Sequence, residues 1–340
     1  MGKPKNLTDV ILIDTSLTTP VYKQIVQSIH RNIEKGILHK GDILPSVNQI
    51  AGQFSLARGS VFTAYNELRS LGIIDSIPGK GYFVTSTETN LTKKIFLLFS
   101  TFTPYKETLF NALLNHLPKN ASLDIYFHHH SMRMFENLIR DQAAHYNTFI
   151  IMPETHPDAL RILQKLDPRR TFLLDVGFKE YHKQFPGVYQ HFEKDIFNIL
   201  LASREMMSKY KRLFLVFPPT VKNTDIISGF NKFARKKIIP ATVIEAVDEK
   251  DVKPGDAFIV IDDNHLVEMV KLAKANKWRL GKDIGLLSYN ETNLKSIIGN
   301  GITTITTDFE AMGKAMAEMV MEGKGEVIEN TFNIIDRQSF

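Results

Sequence analysis

Between Pro20 and Val84 the helix starts, helix stops and hairpin turns fall in one fixed order, and that order constrains the fold of this chain more than any other feature. Thr19 is suited to cap a first helix and Pro20 to its first position, where a missing N–H is no loss. Tyr22, Ile25, Val26, Ile29 and Ile33 then recur at helical spacing until Gly36 stops the run. Ser46 and Gln49 form an S-x-x-Q capping box ahead of a second apolar face of Val47, Ile50, Ala51 and Phe54. A third helix follows the turn at Ser55-Leu56-Ala57, with Val61, Ala64, Tyr65 and Leu68 on its inner side and Gly72 at its end. Ile73-Ile74-Asp75 and Tyr82-Phe83-Val84 read as two strands joined through Pro78-Gly79-Lys80-Gly81. Three short helices and a hairpin in this order predict an α+β winged helix-turn-helix over residues 1–84.

The outer side of the third helix carries Gly59, Thr63 and Asn66, flanked by Ser60 and Phe62, with Arg58 in the first turn. A long side chain there reaches forward to guanine or phosphate, and Gly59 lets backbone approach closely. Residues 1–90 hold nine Lys or Arg against seven Asp or Glu, so bulk charge alone decides nothing. The local pattern does more: no acid stands between Asp42 and Glu67, and the hairpin tip offers Lys80 to phosphate. The competing reading is a small three-helix domain with an accessory hairpin and no DNA role.

The segment resembles the GntR family of bacterial winged-helix regulators. The likeness is carried by Pro20-Val21-Tyr22-Lys23-Gln24-Ile25, by Gly36-x-Leu38-x-x-Gly41-Asp42-x-Leu44-Pro45-Ser46, by Ala57-Arg58-Gly59-Ser60-Val61 with Ala64-Tyr65, and by Gly72-Ile73-Ile74 through Gly79-Lys80-Gly81-Tyr82-Phe83-Val84. The resemblance implies DNA contacts from Ser46, Arg58, Gly59, Ser60, Thr63, Gly79 and Lys80. Asn48 stands where the family has a basic residue and can offer adenine its amide. Phe62 replaces a second basic residue and is not carried over.

Thr85 to Asn90 is a polar stretch without glycine or proline, and residues 85–93 are expected to link two domains. From Lys93 short apolar runs alternate with helical stretches, the pattern of parallel α/β layers, so residues 94–340 predict a two-lobed body with a cleft. Helices are expected near 132–145, 156–166, 193–208, 226–236, 264–276 and 308–322, the last capped by Asp308 and ended by Gly323. Ligands of such sheets sit at the carboxyl ends of the strands. The residues there include Phe102, Tyr105, Asp175, Gln190, His191, Asn223, Asp263, Asn290 and Glu291. Rings, amides and carboxylates together suit a polyhydroxylated sugar.

This second part resembles the periplasmic-binding-protein-type sensors of the LacI/GalR family, through Asp283-Ile284-Gly285-Leu286-Leu287-Ser288-Tyr289-Asn290, Ile302-Thr303-Thr304-Ile305, Met312-Gly313-Lys314-Ala315-Met316 and Arg337-Gln338-Ser339. That likeness implies a homodimeric, sugar-controlled repressor of carbohydrate genes. Asn290 stands where the family has a ligand-binding Asp, and Ile226 where it has an Arg, so the arginine clamp is missing; a pentose or a 6-deoxyhexose such as fucose is expected. The alternative is a body serving as an interaction platform, or one sensing a non-sugar metabolite.

Other chemistries find little support. The chain has no Cys, which excludes thiol chemistry and disulfides and fits a reducing cytoplasm. No apolar run of about 18 residues and no signal peptide occur, so a soluble cytoplasmic protein without a membrane partner is expected. His128-His129-His130 ends a strand with no carboxylate adjoining it, which argues against metal. No G-x-S-x-G elbow and no lysine in a Schiff-base setting recommend an enzyme or a cofactor. Trp278 lies at the wrong end of the sheet for the expected ligand and is read as packing.

Overall fold

The computed structural model describes residues 10–87, 93–323 and 325–340. The chain divides into two compact units, one of residues 1–100 with 118–171, the other of residues 101–117 with 172–340.

The first unit opens with the three expected helices, α1 (Val21–Glu34), α2 (Val47–Gln53) and α3 (Arg58–Ser70). Helix α1 starts one residue later than expected. The backbone at Pro20 is extended (ψ 140°) and its carbonyl accepts the first helical N–H, from Gln24, at 3.1 Å, so Pro20 is the cap and no side chain caps the helix. Thr19 is buried, its carbonyl accepting from Gln24 Nε2 at 2.8 Å. The capping box on α2 forms as read: Ser46 Oγ accepts from Gln49 N at 3.2 Å and Gln49 Oε1 from Ser46 N at 2.8 Å.

Ile25, Ile29, Ile33, Ile50, Val61, Tyr65 and Leu68 meet in one core with the strands β1 (Ile74–Ile77) and β2 (Gly81–Val84). Each such aliphatic removed from water stabilises by roughly 1.5–3 kcal/mol. The strands pair antiparallel with Ile77 opposite Gly81, and positive φ at Gly79 (77°) and Gly81 (90°) closes the turn that carries Lys80. Most of the expected linker, residues 88–92, lies outside the described residues. Thr85, at its start, is tied back to the hairpin's base: its N–H donates to Ile73 O at 2.8 Å and its hydroxyl to Gly72 O at 2.7 Å.

The same unit holds three parallel strands in the order β5 (Thr148–Ile151), β3 (Lys94–Phe99), β4 (Ser122–Phe127), with α5 (Met132–Gln142) and α6 (Ala159–Leu163). β3 is buried at every position after Lys94, as an interior parallel strand requires. Helix α6 is shorter than the expected 156–166 because its end tightens into three-residue turns, Lys165 N to Ile162 O at 3.1 Å and Leu166 N to Leu163 O at 2.9 Å.

The second unit begins with α4 (Pro104–His116) and resumes at β6 (Thr171–Asp175), α7 (Phe178–Tyr181) and β7 (Gly187–Tyr189). β7 pairs parallel with both β6 and the late strand β13 (Val327–Glu329). A six-stranded sheet follows, ordered β14 (Phe332–Ile335), β12 (Thr303–Thr307), β11 (Gly285–Tyr289), β10 (Asp256–Val260), β8 (Arg212–Val216), β9 (Ala241–Ile244), parallel except for β14. Helices α8 (Phe192–Ala202), α9 (Arg204–Met207), α10 (Asp225–Ala234), α11 (Asp263–Ala275) and α12 (Phe309–Glu322) complete it.

The expected single helix over 193–208 is broken at Ser203, whose ψ of 11° leaves the helical range. Helix α12 begins and ends as read, Asp308 Oδ1 accepting from Ala311 N at 2.8 Å and Gly323 taking φ 63°. It packs directly on α4. A Cβ at Gly313 would lie 2.4 Å from Leu109 O, so only glycine permits that approach.

Candidate effector site and nucleic-acid interface

Chain reversal after each parallel strand brings several of the expected effector residues together within the second unit. β6 ends at Asp175 in the left-handed region (φ 74°), and Asn290 follows β11 in the same conformation (φ 61°). Both are non-glycine residues held where short polar side chains are tolerated, an arrangement that concentrates at ligand sites. Gln190 N donates to Asp175 O at 2.8 Å, and its Nε2 donates to Asp175 Oδ1, so two neighbouring strand ends are joined twice. Tyr105, in the first turn of α4, faces Thr103, Asn290, Asp175 and Asp263, with its ring 5.0 Å from that of Phe309.

The site is electrostatically divided. Burial pushes the Asp175 carboxyl up, against the opposing pull of the Lys106 ammonium and the Gln190 amide. Burial also raises the Tyr105 hydroxyl and lowers the Lys295 ammonium. Lys295 Nζ donates to the carbonyls of Tyr289 and Asn290, each at 2.9 Å, and meets Asp263 Oδ1 at 3.0 Å. It therefore clamps the unusual backbone at Asn290. Gln190 Oε1 and Asn290 Oδ1 are buried acceptors without a hydrogen-bond partner among the described residues. A ligand able to donate hydroxyl protons would satisfy them.

Other expected residues are engaged elsewhere. Glu291 takes a two-pronged bond from Arg337, Nη2 to Oε1 at 2.9 Å and Nη1 to Oε2 at 3.0 Å, and also accepts from Thr304 Oγ1. Asn223 Oδ1 accepts from Asp225 N at 3.1 Å at the start of α10. His191 sets its ring 4.8 Å from Phe178 and donates its N–H to Asp195 Oδ2 at 3.0 Å. Phe102 is 48% exposed, 6.1 Å from Phe110. Lys106 and Lys295 were not anticipated. Position signals Lys106, which immediately follows Tyr105 in the turn after β3; nothing local distinguishes Lys295, whose role arises from backbone carbonyls.

In the first unit His128 is fully buried, and both its Nδ1 and that of His130 stand 3.0 Å from Glu154 Oε1. This corrects the expectation that no carboxylate adjoins the histidines. The strand stops at Phe127, His129 and His130 take positive φ (48° and 57°), and Glu154 arrives from beyond β5.

The winged-helix surface presents its candidates outward. Asn48, Arg58, Gly59, Thr63, Gly79 and Lys80 are exposed, and Ser60 is half-buried. Ser46 is exposed although its hydroxyl serves the cap, and Thr63 Oγ1 donates to Gly59 O at 2.9 Å, leaving its lone pairs outward. Phe62 is 51% exposed on the same face as the third helix's polar residues.

Comparison with known proteins separates the two parts. Residues 21–84 match the model for bacterial regulatory proteins of the gntR family, and residues 202–340 match a periplasmic binding protein-like domain. The chain joins a GntR-family head to a body of periplasmic-binding-protein-like fold. Over 76 residues the head is 38% identical to the HTH-type transcriptional repressor YtrA of Bacillus subtilis (strain 168), covering 22% of this chain and 58% of that protein. Over 71 residues it is 34% identical to the mannosyl-D-glycerate transport/metabolism system repressor MngR of Escherichia coli (strain K12), covering 21% of this chain and 30% of the relative. The chain thus spans less than two thirds of these relatives. Its body shares its fold with a dimeric Lac repressor at TM-score 0.60 and 17% identity, over 72% of this chain and 98% of the other. A periplasmic binding protein/LacI transcriptional regulator from Alkaliphilus metalliredigens QYMF, complexed with D-xylulofuranose, matches at TM-score 0.58 and 14% identity, over 73% and 99%. No helix among the described residues is long and apolar enough to cross a membrane.

Proposed function

We propose that this chain is a cytoplasmic, homodimeric transcriptional repressor that binds a near-palindromic operator through α3 and the wing, and that a small sugar at the strand ends of its body sets its affinity for DNA. The observation that carries the sensor is the group of Asp175, Gln190 and Asn290: a buried carboxylate and two unfilled acceptors, with Asp175 and Asn290 held in the left-handed region. Acceptors in excess favour a ligand rich in hydroxyl donors over one that brings only acceptors. The D-xylulofuranose held by the Alkaliphilus relative supports a pentose, and fucose remains the 6-deoxyhexose to compare with it.

The head supplies the DNA reading. Arg58 leads α3, whose first turn holds no acid, and Lys80 tips the wing, so one side chain can read a base while the other holds phosphate. Sugar shifts the regulator only as far as its affinities for the operator-bound and operator-free forms differ. A melting screen of the purified protein against pentoses, hexoses, deoxyhexoses and their phosphates tests the sensor, because a ligand of the native state raises the melting temperature. A selective rise with an unphosphorylated sugar is expected. A flat response across the panel rejects the sugar reading and leaves the head's assignment standing.

A further inference from the structure

A cavity of about 1020 Å³ opens at the opposite end of the six-stranded sheet from Asn290 and Asp263. Its wall is made by segments that precede β8, β11 and β12, whereas the effector candidates follow β10 and β11. Glu291 alone of those candidates reaches the wall, through Arg337 at 2.9 Å; a five-residue strand puts Asn290 roughly 17 Å from the segment that precedes β11.

The cavity is cationic and carries an aromatic edge. Lys209, Lys274, Arg279, Lys282 and Arg337 line it, against the carboxylates of Glu205 and Asp336. The two arginines are already committed, Arg279 to Asp283 at 3.0 Å and Arg337 to Glu291 at 2.9 Å. Asp336 is committed too, accepting from Gln338 N at 2.8 Å and Thr303 Oγ1 at 3.2 Å. Lys209 sits over the ring of Tyr210 at 5.2 Å, and Lys274 makes no ion pair among the described residues. Three lysines against the one Glu205 carboxylate are thus the charges left, a net positive wall for an incoming anion. Trp278, half-buried and packed on the sheet's second core, contributes its indole to the same wall.

The wall is held rigidly. Gln338 O lies 1.8 Å from where a Cβ at Gly281 would stand, and Gly281 takes φ 77°. The final segment is stitched to the sheet by Ser339, whose Oγ donates to Leu286 O at 2.6 Å and accepts from Thr303 N at 2.7 Å. A backbone so tightly placed fixes the attachment point of Lys282, next to Gly281.

We infer that this cavity binds a planar ring bearing a phosphate, the ring against Trp278 and the anion among Lys209, Lys274 and Lys282. The inference is independent of the sugar site and of its ligand. Trp278 is the only tryptophan of the chain, so its fluorescence reports on this cavity alone. The full-length protein should be titrated with AMP and, separately, with inorganic phosphate, with the same titrations on Lys274→Glu/Lys282→Glu. A saturable change in fluorescence with AMP is expected, competed by phosphate and weakened at least ten-fold in the double variant, whose melting temperature stays that of the parent. Both lysines are exposed, so their replacement leaves the fold intact. The milder Lys274→Gln should weaken AMP in the same direction. No saturable change below about 10 mM AMP overturns the inference. Equal affinity in the charge-reversed protein overturns it as well, since the ring would then bind without the anion's partners.

Discussion

Gln190 donates its side-chain amide to the Asp175 carboxylate, joining the end of β7 to the end of β6, where Asp175 faces Tyr105 and Lys106. The carboxylate is buried and its pKa is raised by that burial, so keeping it ionised costs folding stability. A group raised in this way stabilises fully below its unfolded pKa and loses that contribution as pH rises through its folded one. Asp175→Asn keeps the shape, suits the left-handed backbone and removes the charge. The variant is expected to melt higher than the parent at neutral pH while losing at least ten-fold in sugar affinity. A variant that melts lower and still binds sugar would place Asp175 outside the sensor.

His30 gives a second pH dependence, of opposite sense. Its ring is 1% exposed on the inner side of α1, and burial, aided by the Arg170 charge, lowers its pKa to about 4. The folded value lies below the unfolded one, so stability is fully present above about pH 6.5 and drains away as pH falls towards 4. The shift corresponds to an order of 3 kcal/mol across that window. Denaturant unfolding between pH 7 and 4 should show this slope, and His30→Leu should flatten it.

Glu154 acts in a lower range. Burial raises its carboxyl, but hydrogen bonds from His128 and His130 and their charge outweigh this and hold it at about 2. Its contribution is present above the unfolded value of about 4.5 and is lost as pH falls through 2. Glu154→Gln should cost about 1–3 kcal/mol at neutral pH, because a fully buried His128 loses its carboxylate partner. Unfolding curves of parent and variant at pH 7 provide the check; coincident curves would deny the pair a structural role.

Two substitutions separate base reading from phosphate holding in the head. Arg58→Ala should cost about 1–3 kcal/mol on the operator and much less on unrelated DNA. Lys80→Ala should weaken both alike and lower the salt slope by about one. Fluorescence anisotropy at several salt concentrations distinguishes them. An Arg58→Ala loss shared equally by all DNA would make Arg58 a phosphate contact.

The head was legible because its signals are local. Ser46 with Gln49, Gly72 and the Pro78–Gly81 turn each specify a backbone conformation within a few residues, and all form as read. Pro20 shows the limit: it suits either the cap or the first helical position, and only the Gln24 amide bonding to its carbonyl decides. In the body the strand-end rule picked out Asp175 and Gln190, which follow two neighbouring parallel strands of one sheet, and Asn290, which follows a strand of the other. It could not tell that Glu291 turns to Arg337, since that partner lies 46 residues away. Lys295 and the pairing of Glu154 with the histidines were hidden for the same reason: tertiary contacts leave no periodic mark in the chain.

Coupling of sugar to operator in one molecule is read out by operator titration of the parent and Asp175→Asn, with and without the sugar found in the melting screen. Sugar should weaken the parent's operator affinity at least ten-fold and leave Asp175→Asn, still able to bind operator, unmoved. A parent whose operator affinity is the same with and without saturating sugar would contradict it.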